Sequence, residues 1–410
     1  ADVTVSGGYI FSNSAKTNAN GGGGAIYAQG GSVVLNGGYL FDNSARGGYG
    51  GAVYMKAGTL TVSDSAVLAG NRSVKEGGIA GTGTLDAGGG AVALFGSTVT
   101  ISGGYITGNE SEKTGGGLYC RELSAVTMDG GYVTNNKAQN IVCEGAHINM
   151  DGGGGIRLEN NSNLTLNGGY ITGNMACSGA GICVTGKSSD ALLTMNGGYI
   201  CANRNQVSCG FAGHQKEGAG ISIREAEATV HITSGYINNN SIAQSEDWGG
   251  GGIFCTEGAY LYIDKILATN NHARGFGGGL AGCPTGHVFV LGGAAAVFDN
   301  RADGTQLAGA ESNKHADKDA LADTTFMESG YSDFFCALGG QVQKKMLGGG
   351  MENWERAIGA LWQTHDLPTR GITLVLPDEA VATRTVTAPQ MPESRLEEFV
   401  QHEMRAHAGH

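Results

Sequence analysis

Along the first 300 residues, apolar and polar positions alternate with a period of two, in runs of only a few residues. Val99-Thr100-Ile101 and Leu164-Thr165-Leu166 are examples. Such alternation predicts short strands with Val99, Ile101, Leu164 and Leu166 turned inward and Thr100 and Thr165 outward. Gly and Asn break the runs. A helical spacing first emerges near residue 354, where Trp354, Ile358 and Leu361 fall on one face.

The runs recur as a unit. LNGGYLFDN, ISGGYITGN, MDGGYVTNN, LNGGYITGN, MNGGYICAN and ITSGYINNN share an apolar run, a polar residue, Gly-Gly-Tyr, an apolar residue and a closing Asn. Between closing residues lies a second motif, read as GGAIY, GGAVY, GGLY, GGIR, AGIC and GGIF. Each unit therefore offers three strand-like pieces, none able to bury a face alone. Stacking buries them. About ten coils of roughly 28–30 residues predict a right-handed parallel β-helix, a rod about 48 Å long at the spacing of stacked strands. A β-propeller needs longer strands and about 40 residues per blade.

Two columns follow. Closing asparagines at Asn13, Asn43, Asn71, Asn109, Asn136, Asn174, Asn203, Asn240, Asn270 and Asn300 are expected to stack as a corner ladder, since Asn tolerates tight corners and its amide bonds its neighbours. The tyrosines Tyr9, Tyr39, Tyr105, Tyr132, Tyr170, Tyr199 and Tyr236 share one position, with Val67, Ile266 and Ala296 as equivalents elsewhere. Alternation turns them outward, either as a platform for sugar rings or another rod, or as a corner that shields Gly-rich backbone. Three coils are longer, with extra residues at about 72–89, 137–153 and 204–218. Their loops leave one edge two coils apart and carry His147 and His214; Trp248 follows one coil on. A row of loops on one edge is where repeat proteins place binding surfaces.

Composition divides the chain. Of 74 glycines, 63 lie in the first 300 residues; of 62 charged residues (25 plus 37), 26 lie in the last 110. The expected organisation is a β-helix over 1–310, a linker or cap over 311–350 and a small α+β region over 351–410. The tail reads helix, strand, strand, helix, with ITLVLP and TRTVTAP as its strands. The start, ADVTVSGG, shows no secretory signal and reads as a mature N-terminus or the edge of a fragment.

The GG[AI]…GGYIxxN units resemble those of bacterial surface β-helix proteins, such as polymorphic outer-membrane and adhesin-like proteins, over about residues 1–305. That resemblance implies an extracellular, cell-surface adhesin or scaffold. The tail, with LVLP followed by TAPQMPESRLEEFVQHE, resembles the small subdomain of actin-like ATPases of type IV pilus assembly. It implies an α+β shape and assembly with surface or pilus components, without the phosphate-binding loops.

A net charge of −12 makes nucleic acid a poor partner, and no run of about 18 apolar residues suggests a membrane span. Cys143, Cys177 and Cys209 fall at the insert corner of successive coils, so Cys143–Cys177 or Cys177–Cys209 pairing is open. Cys120 and Cys255 are read as core residues. His402, His407 and His410 do not match HExxH, and no CxxC exists, so neither metal nor cofactor is expected. Asp64, Asp129 and Asp264 sit in turns that other coils fill with Asn, Ser or Thr. The expected function is glycan or protein binding along the insert edge and the Tyr column. A polysaccharide-processing β-helix enzyme and a self-assembling rod are the alternatives.

Overall fold

The computed structural model describes residues 2–16, 21–77, 84–85, 87–139, 152–186, 189–205, 216–242, 247–275, 277–282 and 285–302, together with strands at Phe334–Cys336, Thr373–Leu374 and Arg384–Thr385. The described residues are all-β and build a parallel β-helix. One coil shows the pattern: Met175–Ala176, Ile182–Thr185, Ala191–Met195 and Tyr199–Cys201. Each strand pairs in parallel with its counterpart one coil away, as Tyr170–Thr172 does with Tyr199–Cys201. In the end coils the last two strands fuse, giving Ser32–Phe41 and Tyr260–Thr269.

The coil has four strands rather than the expected three. The additional one follows the closing Asn and holds two or three residues, such as Ser44–Arg46 and Lys137–Ala138. It is too short to alternate visibly. Its inward residue is Ala or Ser in most coils, and Ala138 and Ala176 pack with Ala180 at this edge; Asn205 and Ile242 are the larger exceptions.

Alternation builds the core. Val99, Ile101, Leu164 and Leu166 are buried as expected, within one continuous cluster that also holds Cys120 and Cys255. Each fully buried Leu or Ile contributes about 1.5–3 kcal/mol, and stacking coils is what supplies that burial. The corners have two devices. At the GG motif the backbones of adjacent coils nearly touch: a Cβ on Gly154 would lie 2.5 Å from the Met175 carbonyl oxygen. At the other corner, the residue before each ladder Asn is left-handed, from Ser12 (φ 54°) and Asp42 (φ 53°) to Asp299 (φ 54°).

That corner corrects one ladder position. Asn270 is a left-handed corner residue (φ 54°), and Asn271 is the ladder member. In the run Thr-Asn-Asn either Asn satisfies the sequence pattern. Only pairing with Asn240 and Asn300 decides. The predicted members from Asn43 to Asn240 form an unbroken buried chain in which each Nδ2 donates to the Oδ1 of the next, at 2.9–3.1 Å; exposed Asn13 caps one end by donating to Asn43, and Asn300 joins through Asn271. Each also donates to a core-strand carbonyl, as Asn136 does to Ile106.

The GG-motif ladder runs past the boundary at 310 expected from composition. Phe334–Cys336 pairs with Leu280–Gly282 as its tenth rung. In the tail, Thr373–Leu374 and Arg384–Thr385, from the two expected strands, pair antiparallel. The expected tail helices lie outside the described residues.

Candidate functional site: a tyrosine stack and a buried ionic layer

The position before each inward Ile or Val of the GYI strand faces out, so stacking repeats the same side chain every coil, about 4.8 Å apart. Tyr105, Tyr132, Tyr170, Tyr199 and Tyr236 fill it consecutively. Their ring centroids are 4.8, 5.1, 4.8 and 4.7 Å apart, with planes within 9°. Tyr105 is 44% exposed. Both faces of Tyr132, Tyr170 and Tyr199 are turned to other tyrosines. The interior of the column therefore offers ring edges and phenol hydroxyls rather than open faces. Val67 pairs with Tyr105 at one end and Leu267 with Tyr236 at the other. The equivalent residue is Leu267, not Ile266, the same one-residue offset that separates Asn271 from Asn270. Tyr9 and Tyr39 form a separate stacked pair, at 5.4 Å. Beside the column, Thr107, Thr134 and Thr172 lie in register.

A second set of residues escaped the sequence reading. Alternation should expose the second and fourth residues of the GG-motif strand. Instead Tyr119 and Arg157 are only 3% and 1% exposed, and Tyr54, Ser222 and Arg224 are buried too. Toward the first coils this outer layer is aromatic: Tyr49, Tyr54, Phe95 and Tyr119 cluster, with the Arg121 guanidinium 5.4 Å from the Phe95 centroid. Further on it becomes ionic. The Tyr119 hydroxyl donates to Glu159 Oε1 at 2.5 Å, and Arg157 donates to Glu159 Oε2 at 3.3 Å and to Cys183 Sγ at 2.8 Å. Arg224 donates to Glu217 and, at 2.8 Å, to Glu257 Oε1. Ser178 Oγ donates to Ser222 Oγ at 2.9 Å, and both serines lie 3.5 Å from Glu217 Oε1.

Burial shapes the ionisation of this layer. Desolvation pushes the Glu217 carboxyl up to about 7; Arg224 and the serines oppose that shift, and the Glu257 carboxylate adds to it. Tyr54 is pushed up to about 12 and Tyr119 well above the usual phenol value, both chiefly by burial. A charged residue at the second or fourth position of a GG strand was the available signal. It carried no weight without knowing that this face is covered.

Other expected residues are placed as follows. Cys177 is buried and disulfide-bonded; its candidate partners Cys143 and Cys209 lie outside the described residues, as do His147 and His214. The Trp248 backbone lies in Asp247–Gly249, which pairs with Lys216–Glu217; its side chain is outside the described residues. Asp129 ends an exposed ladder: Asn167 Nδ2 donates to it at 2.8 Å and Asn196 Nδ2 to Asn167 Oδ1 at 2.9 Å. Among the described residues, no group of three or more His, Cys, Asp or Glu side chains is placed to hold a metal ion. Among the same residues, no helix is long and apolar enough to cross a membrane. Comparison with family models, curated proteins and solved structures finds no match for this chain.

Proposed function

We propose that this chain is an extracellular, rigid display rod of the adhesin type that binds glycan along its insert-bearing edge and Tyr column. One observation carries the reading: five stacked tyrosines, three exposed (Tyr105, Tyr132 and Tyr170) and two half-buried, stand in a fixed row at coil spacing. A row of fixed hydroxyls gives up little side-chain entropy on binding. Sugar contacts come from ring edges, phenol hydroxyls and loop polar groups. The Cys177 disulfide supports an oxidising exterior.

The test is a broad glycan array with the full chain beside a variant carrying Trp248→Ala and Tyr→Phe at 132, 170 and 199. Phe keeps the stack and removes the hydroxyls. Binding by the parent that falls at least tenfold in the variant is expected. No binding by the parent rejects a glycan ligand and moves the reading to a protein partner or a purely structural rod.

A second reading, a polysaccharide-processing enzyme, draws on Glu217 and Glu257 flanking Arg224 on one face. It requires turnover that Glu217→Gln abolishes. Full burial of Glu217 in contact with Arg224 favours a structural role for that pair.

A further inference from the structure

The ten short strands after the ladder asparagines carry a charge bias opposite to that of the chain. The whole sequence has 25 Lys and Arg against 37 Asp and Glu. These strands hold Lys16, Arg46, Arg72, Lys137, Arg204 and Arg301, against the single carboxylate Glu110. Strand register makes one row of Arg72, Glu110, Lys137, Met175 and Arg204, with Arg301 three coils further. Arg72, Arg204 and Arg301 are exposed. On the corner just before the row, Asp42 and Asp299 stand at the ends, and the corner residues from Gly70 to Asn270 are uncharged.

We infer that this row binds an acidic polysaccharide lying along the rod, its carboxylate or sulfate groups on Arg72, Lys137 and Arg204. The inference rests on the glycan-binding reading above and names the ligand's chemistry. Arg72, Lys137 and Arg204 are two coils apart, about 9.6 Å at the spacing of stacked strands. One cation every second coil matches a polymer in which acidic and neutral sugars alternate. It is a poor match for nucleic acid, with a phosphate about every 3.4 Å along each strand. Each of the three also stands at the base of one of the long inserts, on the edge expected to bind. Between Lys137 and Arg204, Met175 is 39% exposed and offers an apolar patch to a neutral sugar face. Glu110 pairs with Arg72 at 3.3 Å and with Lys137 at 3.5 Å. Glu110 is half-buried but both cations reach the surface, and surface pairs of this kind are worth about 1 kcal/mol or less, so a polyanion competes with them.

The test measures the full chain against hyaluronate, in which acidic and neutral sugars alternate, chondroitin sulfate, neutral dextran and single-stranded DNA, at low and raised salt. The variants are Arg72→Gln/Lys137→Gln/Arg204→Gln and, as a control off the row, Lys56→Gln/Lys265→Gln. Expected is binding of at least one acidic polysaccharide at least tenfold tighter than dextran or DNA. It should weaken about tenfold as salt rises from 50 to 300 mM. The triple variant should lose at least tenfold and the control variant nothing. Dextran bound as tightly, or an unaffected triple variant, overturns the inference and leaves the glycan reading standing. DNA bound more tightly than either polyanionic sugar overturns it in favour of a general polyanion edge. No polysaccharide bound overturns the inference alone, and silence on the broad glycan array as well overturns both.

Discussion

Asn270 and Asn271 are adjacent and chemically identical, yet their replacement by Ala should differ several-fold in cost. The Asn271 side chain makes four hydrogen bonds. Its Nδ2 donates to the Ile237 carbonyl at 2.8 Å and to Asn300 Oδ1 at 2.9 Å. Its Oδ1 accepts from the Asn240 backbone N–H at 3.0 Å and from Asn240 Nδ2 at 2.9 Å. Ala leaves the Asn240 N–H, one Asn240 amide hydrogen and the Ile237 carbonyl buried without partners, while Asn300 Oδ1 keeps the Asn271 backbone N–H at 3.0 Å. At about 1–3 kcal/mol per buried unsatisfied group, relaxation of the neighbouring coils puts the total at about 3–6 kcal/mol. Asn270 is exposed and left-handed, and Ala202 already holds the equivalent corner at φ 54°. Asn270→Ala should cost about 1 kcal/mol or less. Solenoid stability is close to a sum of coil and interface terms, so the loss is local. Urea unfolding by circular dichroism gives the totals, and hydrogen exchange at the Asn240 amide locates the loss. Equal costs for the two variants, or an Asn240 amide as protected in Asn271→Ala as in the parent, would refute the ladder assignment.

Other consequences are open to direct measurement. Tyr170→Leu removes two stacked contacts, each about 0.5–1.5 kcal/mol, and should lower stability by about 1–3 kcal/mol in urea; no loss would mean the stack contributes nothing. The folded Glu217 carboxyl holds its proton to about pH 7, against about 4.3 unfolded. Between those values the native state binds the extra proton, so Glu217's contribution to stability falls as pH rises. Glu217→Gln should flatten that slope when urea midpoints at pH 5 and 7.5 are compared. Without reductant, alkylation of the folded protein should label the half-buried Cys201, spare disulfide-bonded Cys177 and reach Cys120, Cys183 and Cys255 only on unfolding. Reducing the Cys177 bridge should cost about 2–4 kcal/mol.

The residues that stack coil on coil were readable from the chain because the β-helix repeats its environment. A residue such as Val99 or Leu164 meets the same neighbours whichever coil it occupies, so period-two alternation and a recurring Gly-Gly-Tyr suffice. The same regularity makes the Asn and Tyr columns legible in the sequence. It failed where two residues fit one slot, at Asn270 and Asn271, because both satisfy the local pattern and only the partner coils distinguish them.

The short fourth strand was hidden for a different reason: two residues cannot display a period of two, and their pairing is set by the coils above and below. The ionic layer around Tyr119, Arg157 and Arg224 was invisible because alternation tells which way a side chain points and not what covers it. The chain by itself therefore determined the coil, its core and its columns, since those follow from local alternation repeated at a fixed length. Tertiary structure decided which exposed positions became buried and which charges met, since both depend on what the neighbouring coil brings alongside, as Glu159 comes to Tyr119 and Glu257 to Arg224 from 40 and 33 positions away.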